Sequence, residues 1–116
     1  MLADAHQQAA LDLEQSIADM GDPAAKPYLA RAAIELYWAA AFHWIAYGCQ
    51  TKHGKHKENH TKLGRYLRDL SEPMVADWWD RLEEKRRGGL YGHLTTPADV
   101  QTAQRYWQDI NVWATT

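Results

Sequence analysis

The chain has 116 residues, 46% of them hydrophobic, with one cysteine and a formal charge of −2. That length fits a single domain, and the hydrophobic share excludes global disorder. One cysteine excludes an internal disulfide framework and a thiolate-rich zinc finger, and it suits a reducing cytoplasm. The first residues lack the basic start and apolar run of a signal peptide. The most apolar stretch, Leu36 to Gly48, is too short to span a membrane and contains His43.

Six Trp and six Tyr stand against a single Phe. Such residues favour cores with a wet edge and contact surfaces. Alternating β-branched runs are almost absent, with valine only at Val75, Val100 and Val112, so an all-α chain is expected.

Five helices are predicted in order. The first covers about Ala3 to Met20, with Ala9, Leu13, Ile17 and Met20 on one stripe. Asp4, Asp12, Glu14 and Asp19 give it an acidic outer face, and Gly21-Asp22-Pro23 ends it. The second starts near Pro27 and is expected to stop at Gly48. Apolar residues cover most of its circumference from Tyr37 to Tyr47, which places it at the centre of a bundle. Its Ala32, Ala33, Ala39, Ala40 and Ala41 read as close-packing positions. Cys49 to Asn59 then reads as a mobile basic loop. Cys49, at a helix end where the dipole disfavours a thiolate, is a poor nucleophile.

Asn59 is predicted to cap a third helix, His60 to Leu70, with Leu63, Leu67 and Leu70 inward. Ser71 is predicted to cap a fourth, with Pro73 near its start and Val75, Trp78, Trp79 and Leu82 inward. Gly88-Gly89 is its expected break. Thr96-Pro97-Ala98-Asp99 has the form of a capping box. The fifth helix then runs to about Trp113, burying Val100, Ala103, Trp107 and Ile110. The expectation is a five-helix, up-and-down-like bundle over residues 1 to 116.

The small net charge hides a polarised molecule. Residues 1 to 23 hold five acids and no base. Lys52, Lys55, Lys57, Lys62, Arg65 and Arg68 come one after another against Glu58 alone, with His53, His56 and His60 among them. Such a stretch either binds phosphates or RNA, or is a solvated loop paired with an acidic neighbour. The three histidines do not read as a metal site. An Asn59 cap leaves His56 outside the helix, and no fourth ligand is evident. No metal or cofactor is assigned.

A second cluster, Lys85-Arg86-Arg87-Gly88-Gly89-Leu90-Tyr91-Gly92-His93, joins three cations to a Tyr and a His. Arg can stabilise charge on phosphoryl oxygens while His moves a proton to or from a 2′-hydroxyl or leaving oxygen. The plainer reading is cations that complement a helix C-terminus and glycines that close it. There is no phosphate loop with Lys-Ser/Thr, no Gly-x-Ser-x-Gly and no His-Glu-x-x-His.

The order of these features resembles the HEPN domain (higher eukaryotes and prokaryotes nucleotide-binding). Arg31 to His43, with Tyr37, Trp38 and Phe42, looks like the family's Tyr-Tyr-Ala-x-Phe-His pattern. His60-Thr-Lys-Leu63 looks like its His-x-x-Leu opening of the next helix. Arg86 or Arg87 with Tyr91, then Thr96-Pro97-Ala98-Asp99-Val100, looks like its Arg…Tyr…Ser/Thr-x-Glu/Asp-Ala ending. The resemblance covers about residues 25 to 112. It implies a helical bundle and, in many members, metal-independent ribonuclease activity through an Arg-x4-6-His motif assembled across a dimer. Arg87 and His93, or Arg86 and His93, satisfy that spacing. Other members look non-nucleolytic.

Three functional classes are open to such a chain. The first is an RNA- or nucleotide-binding module using Lys52, Lys55, Lys57, His60, Lys85, Arg86 and Tyr91, within a toxin–antitoxin type system. The second is a ribonuclease toxin with Arg87 and His93 as catalytic residues, Arg for phosphoryl charge and His for proton transfer. The third is a non-catalytic protein-interaction module. A homodimer is expected from the aromatic surplus and from the resemblance, and an antitoxin or nucleotidyltransferase is the implied partner. No membrane is involved in any of them.

Overall fold

The second helix sets the dimensions of the molecule. In a computed structural model, which describes residues 1–23, 27–90 and 95–116 and gives the backbone alone for Pro27, Gly89 and Leu90, five helices are present. They are α1 (Ala3–Met20), α2 (Pro27–His53), α3 (Leu63–Asp69), α4 (Pro73–Leu90) and α5 (Pro97–Thr115), with a 3-10 turn at His60–Lys62 before α3. No strand occurs among the described residues. At about 1.5 Å of rise per residue, the 27 residues of α2 match the 41 Å long axis of the molecule.

α1, α4 and α5 pack on α2, while α5 also packs on α4 and the short α3 packs on α4. Ala33, Ile34, Tyr37, Ala40, Ala41, Trp44 and Ile45 of α2 are all buried, as the all-round apolar pattern requires of a central helix. The alanine set is used only in part. Ala33, Ala40 and Ala41 are buried, Ala39 is half-buried, and Ala32 faces solvent. The inner face of α3 is Leu63 and Leu67 with Leu70 half-buried, and that of α4 is Val75, Ala76, Trp79 and Leu82. Val100, Ala103, Ile110 and Ala114 line the inner face of α5.

Two expected stops and one expected cap fall elsewhere. α2 does not stop at Gly48. It continues to His53, and Gly54, with φ +73° and its N–H on the Gln50 carbonyl at 3.0 Å, is the residue that ends it. Gly48 is instead where the Trp113 ring of α5 lies against the helix: a Cβ there would come within 2.5 Å of the indole. A missing Cβ serves close approach as readily as it serves a helix stop. α4 likewise runs through Gly88 and Gly89 to Leu90. Ser71 does not cap α4. It sits at φ 62° after α3, with its N–H on the Arg68 carbonyl and the Glu72 N–H on that of Leu67. That bonding pattern is the left-handed closure usually given to glycine.

Two local signals hold as read. Asn59 caps the 3-10 turn by accepting from the Thr61 N–H at 2.9 Å, although α3 itself begins three residues later than expected, at Leu63. Thr96 and Asp99 form the reciprocal capping box of α5. The Asp99 carboxyl is held down at about 2, first by the Lys85 ammonium 2.8 Å away and then by the Thr96 N–H.

Glu14 overturns the reading of α1 as acidic on its outer face alone. Asp4, Asp12 and Asp19 are exposed, but Glu14 turns inward. Its Oε2 accepts from Trp44 Nε1, Trp107 Nε1 and Asn111 Nδ2, each at 2.8 Å, which ties α1 to α2 and α5. The fold absorbs the other indoles as well. All six Trp are buried or half-buried, so the indoles alone give no argument for a dimer surface, while Tyr28 is exposed.

Three substitutions change stability in directions that chemical denaturation reads. Gly48→Ala drives a Cβ into the Trp113 ring and lowers stability by about 1–3 kcal/mol. Ser71→Gly removes the cost of a left-handed serine and raises stability by about 0.5–1 kcal/mol. Glu14→Ala leaves two indole N–H groups without their acceptor and costs about 2–4 kcal/mol.

Candidate functional site

The turn at His60–Lys62 faces the C-terminal half of α4 across a cleft of about 410 Å³. His60, Lys62, Arg65, Glu83 and Arg87 line it, with Trp79 at its base. The Asn59 cap fixes the start of the turn, and the Leu63 and Leu67 side chains anchor α3 in the core directly after it. Behind His60 lies Trp38 of α2, which supports the cleft's residues without lining it. The His60 ring meets this indole edge-on with centroids 5.2 Å apart, and the Arg86 guanidinium lies over it at 4.1 Å. The Trp38 indole N–H donates to Glu83, a carboxylate only 9% exposed. Arg87 reaches the other oxygen of Glu83 at 3.4 Å while its side chain stays 62% exposed. Lys62 and Arg65 make no ion pair among the described residues.

The cations named from sequence thus divide. His60 and Arg87, far apart in the chain, share the cleft. Lys85 pairs with Asp99 at 2.8 Å and so fastens α4 to the start of α5. Arg86 Nε pairs with Glu35 at 3.1 Å while its plane rests on Trp38. Both therefore have carboxylate partners within the fold. Lys52, in the last turn of α2, holds its ammonium 5.6 Å over the Trp113 ring, and Lys57 lies over Tyr66 at 5.3 Å. Lys55 is exposed on the 54–59 segment. Tyr91 and His93 lie outside the described residues, and the Arg87–His93 pairing with them.

A second constellation matches no motif of the sequence. His6 of α1 is fully buried, with Nε2 3.0 Å from Glu58 Oε1 and Nδ1 2.9 Å from His43 Nδ1 of α2. His56 places Nε2 2.8 Å from the same Glu58 oxygen and Nδ1 2.7 Å from Gln50 Oε1. The Met1 amine also reaches that oxygen, at 3.1 Å. Burial pushes the Glu58 carboxyl up, but the bonds from His6, His56 and the amine outweigh it and hold it at about 2. Burial lowers His43, and proximity to His6 lowers it further against the opposing pull of Glu58.

Of the three histidines weighed for a metal, only His56 belongs to this cluster. His53 lies by Glu72 at 3.5 Å, and His60 lies in the cleft. His6 carried a signal in the sequence, since it stands four residues before buried Ala10 on the inward face of α1. A polar residue on such a face needs a buried partner. Cys49 is buried, and burial together with Glu72 pushes its thiol up to about 12, so it stays protonated at neutral pH.

Comparison with protein families, curated proteins and solved structures found no match for this chain. Among the described residues, no helix is long and apolar enough to cross a membrane.

Proposed function

We propose that this chain is a HEPN-like helical module that binds RNA or a nucleotide in the cleft between the His60–Lys62 turn and α4. One observation carries the reading: His60 and Arg87, from two separate motifs of the resemblance, line one cleft together with Lys62 and Arg65. Exposed cations beside the His60 ring suit a phosphate chain with a base stacked next to it. His60, half-buried against Trp38, supplies a flat ring at the mouth, and Glu83 orients Arg87 from below. The acidic Asp80, Glu83 and Glu84 on the α4 side limit how much anion the cleft takes. They favour a short single-stranded segment or one nucleotide over a duplex. The toxin–antitoxin setting and an antitoxin or nucleotidyltransferase partner belong to this same proposal.

Quenching of tryptophan fluorescence by a short unstructured RNA tests it. Binding weakens with salt, and Arg87→Ala lowers the slope of log K against log salt by about 0.7. Lys62→Ala with Arg65→Ala weakens binding further. Affinity unchanged in these variants, or no binding by the parent, overturns the reading. RNA cut by the parent in excess chelator, and left intact by both Arg87→Ala and His93→Ala, replaces binding with metal-independent cleavage.

A further inference from the structure

We infer that His6 Nε2, His56 Nε2 and a Glu58 carboxylate oxygen form a binding site for one divalent transition-metal cation of the zinc class. The three ligand atoms lie within 4.8 Å of one another, although His6 comes from α1 and the other two from the 54–59 segment. A four-coordinate zinc with bonds of about 2.0–2.2 Å sets neighbouring ligand atoms about 3.3 Å apart. The observed gaps of 3.0 Å from His6 and 2.8 Å from His56 to Glu58 open to that distance by a few tenths of an ångström.

The far side of each imidazole is already held. His6 Nδ1 meets His43 Nδ1 at 2.9 Å, and His56 Nδ1 meets Gln50 Oε1 at 2.7 Å. Metal-bound histidines characteristically have their second nitrogen anchored in this way. The anchors provide for the tautomer a metal needs. With His56 donating its Nδ1–H to Gln50 and His6 its own to His43, the cation replaces the protons that both Nε2 atoms otherwise direct at Glu58, and their lone pairs turn to the metal. Electron-pair donors converging on one point are satisfied by a cation placed between them. Two imidazoles and one carboxylate select a borderline transition metal over magnesium or calcium, which take oxygen ligands.

Access is provided from one side. A groove of about 400 Å³, lined by Met1, Leu2, Asp4, Gln50 and His56, opens beside the site, and the Met1 amine, 3.1 Å from the same Glu58 oxygen, gives way to the cation or joins its ligands. A bound cation would clasp the 54–59 segment to α1. None of the side chains assigned to the RNA cleft takes part, so either site stands without the other.

The full chain, stripped with chelator, is titrated with Zn²⁺ alone by calorimetry at neutral pH, and with Co²⁺ followed by visible absorption. One equivalent binds, the melting temperature rises, and cobalt gives the d–d bands of a nitrogen- and oxygen-ligated ion. His56→Ala and Glu58→Ala, whose side chains lie on the surface segment, keep the helical circular dichroism and weaken binding by about tenfold or more. His53→Ala binds as the parent does. The assignment is overturned if the parent takes up no zinc, if His56→Ala and Glu58→Ala bind as tightly as the parent, or if His53→Ala removes binding.

Discussion

One carboxylate oxygen holds three helices in register. Glu14 Oε2 accepts from Trp44 of α2 and from Trp107 and Asn111 of α5, so α1 cannot slide or rotate without stranding an indole N–H. Trp44 is 2% exposed, which leaves that donor no water to turn to. The consequence reaches two turns along α1. With Glu14 fixed, His6 points at His43, and its other nitrogen meets the segment that returns from the end of α2. The histidine cluster is therefore a product of the Glu14 clasp as much as of its own hydrogen bonds.

α2 distributes the chemistry as well as the packing. Its Trp38 and Phe42 lie stacked with centroids 6.4 Å apart, and Phe42 meets His43 edge-on at 5.4 Å. His6 joins the row at 6.3 Å from Phe42, while His60 and Trp79 flank Trp38. The cleft beside the His60–Lys62 turn and the histidine cluster thus stand at two ends of one aromatic row. Spacing of four residues on a helix is what aligns Trp38 with Phe42.

Charge is organised around scarce partners. Glu58 is the sole acid among the cations that run from Lys52 to Arg68, and two histidines and an amine converge on it. On α4 the cations are separated by their neighbours: Asp99 takes Lys85, Glu35 takes Arg86, and Glu83 takes Arg87 while also holding Trp38. Three consecutive basic residues consequently perform three different tasks. Arg87 is the exposed one of the three.

The all-α class, five helices, the central place of α2, the Asn59 cap and the Thr96–Asp99 capping box were legible in the sequence, because each rests on residues within a turn or two of one another. The ends at Gly48, Ser71 and Gly88-Gly89 were not. Glycine is compatible with both a stop and a close approach, and only Trp113, from α5, decides for Gly48. The same limit applies to the sites. The basic run and the Lys85-Arg86-Arg87 cluster could be read, but their assignment to Asp99, Glu35 and Glu83 depends on helices meeting. His6 and Glu58 are 52 residues apart, and no local spacing links them. Periodicity reports which face of a helix turns inward; which side chain waits there belongs to the tertiary structure, since it depends on the packing of a different helix.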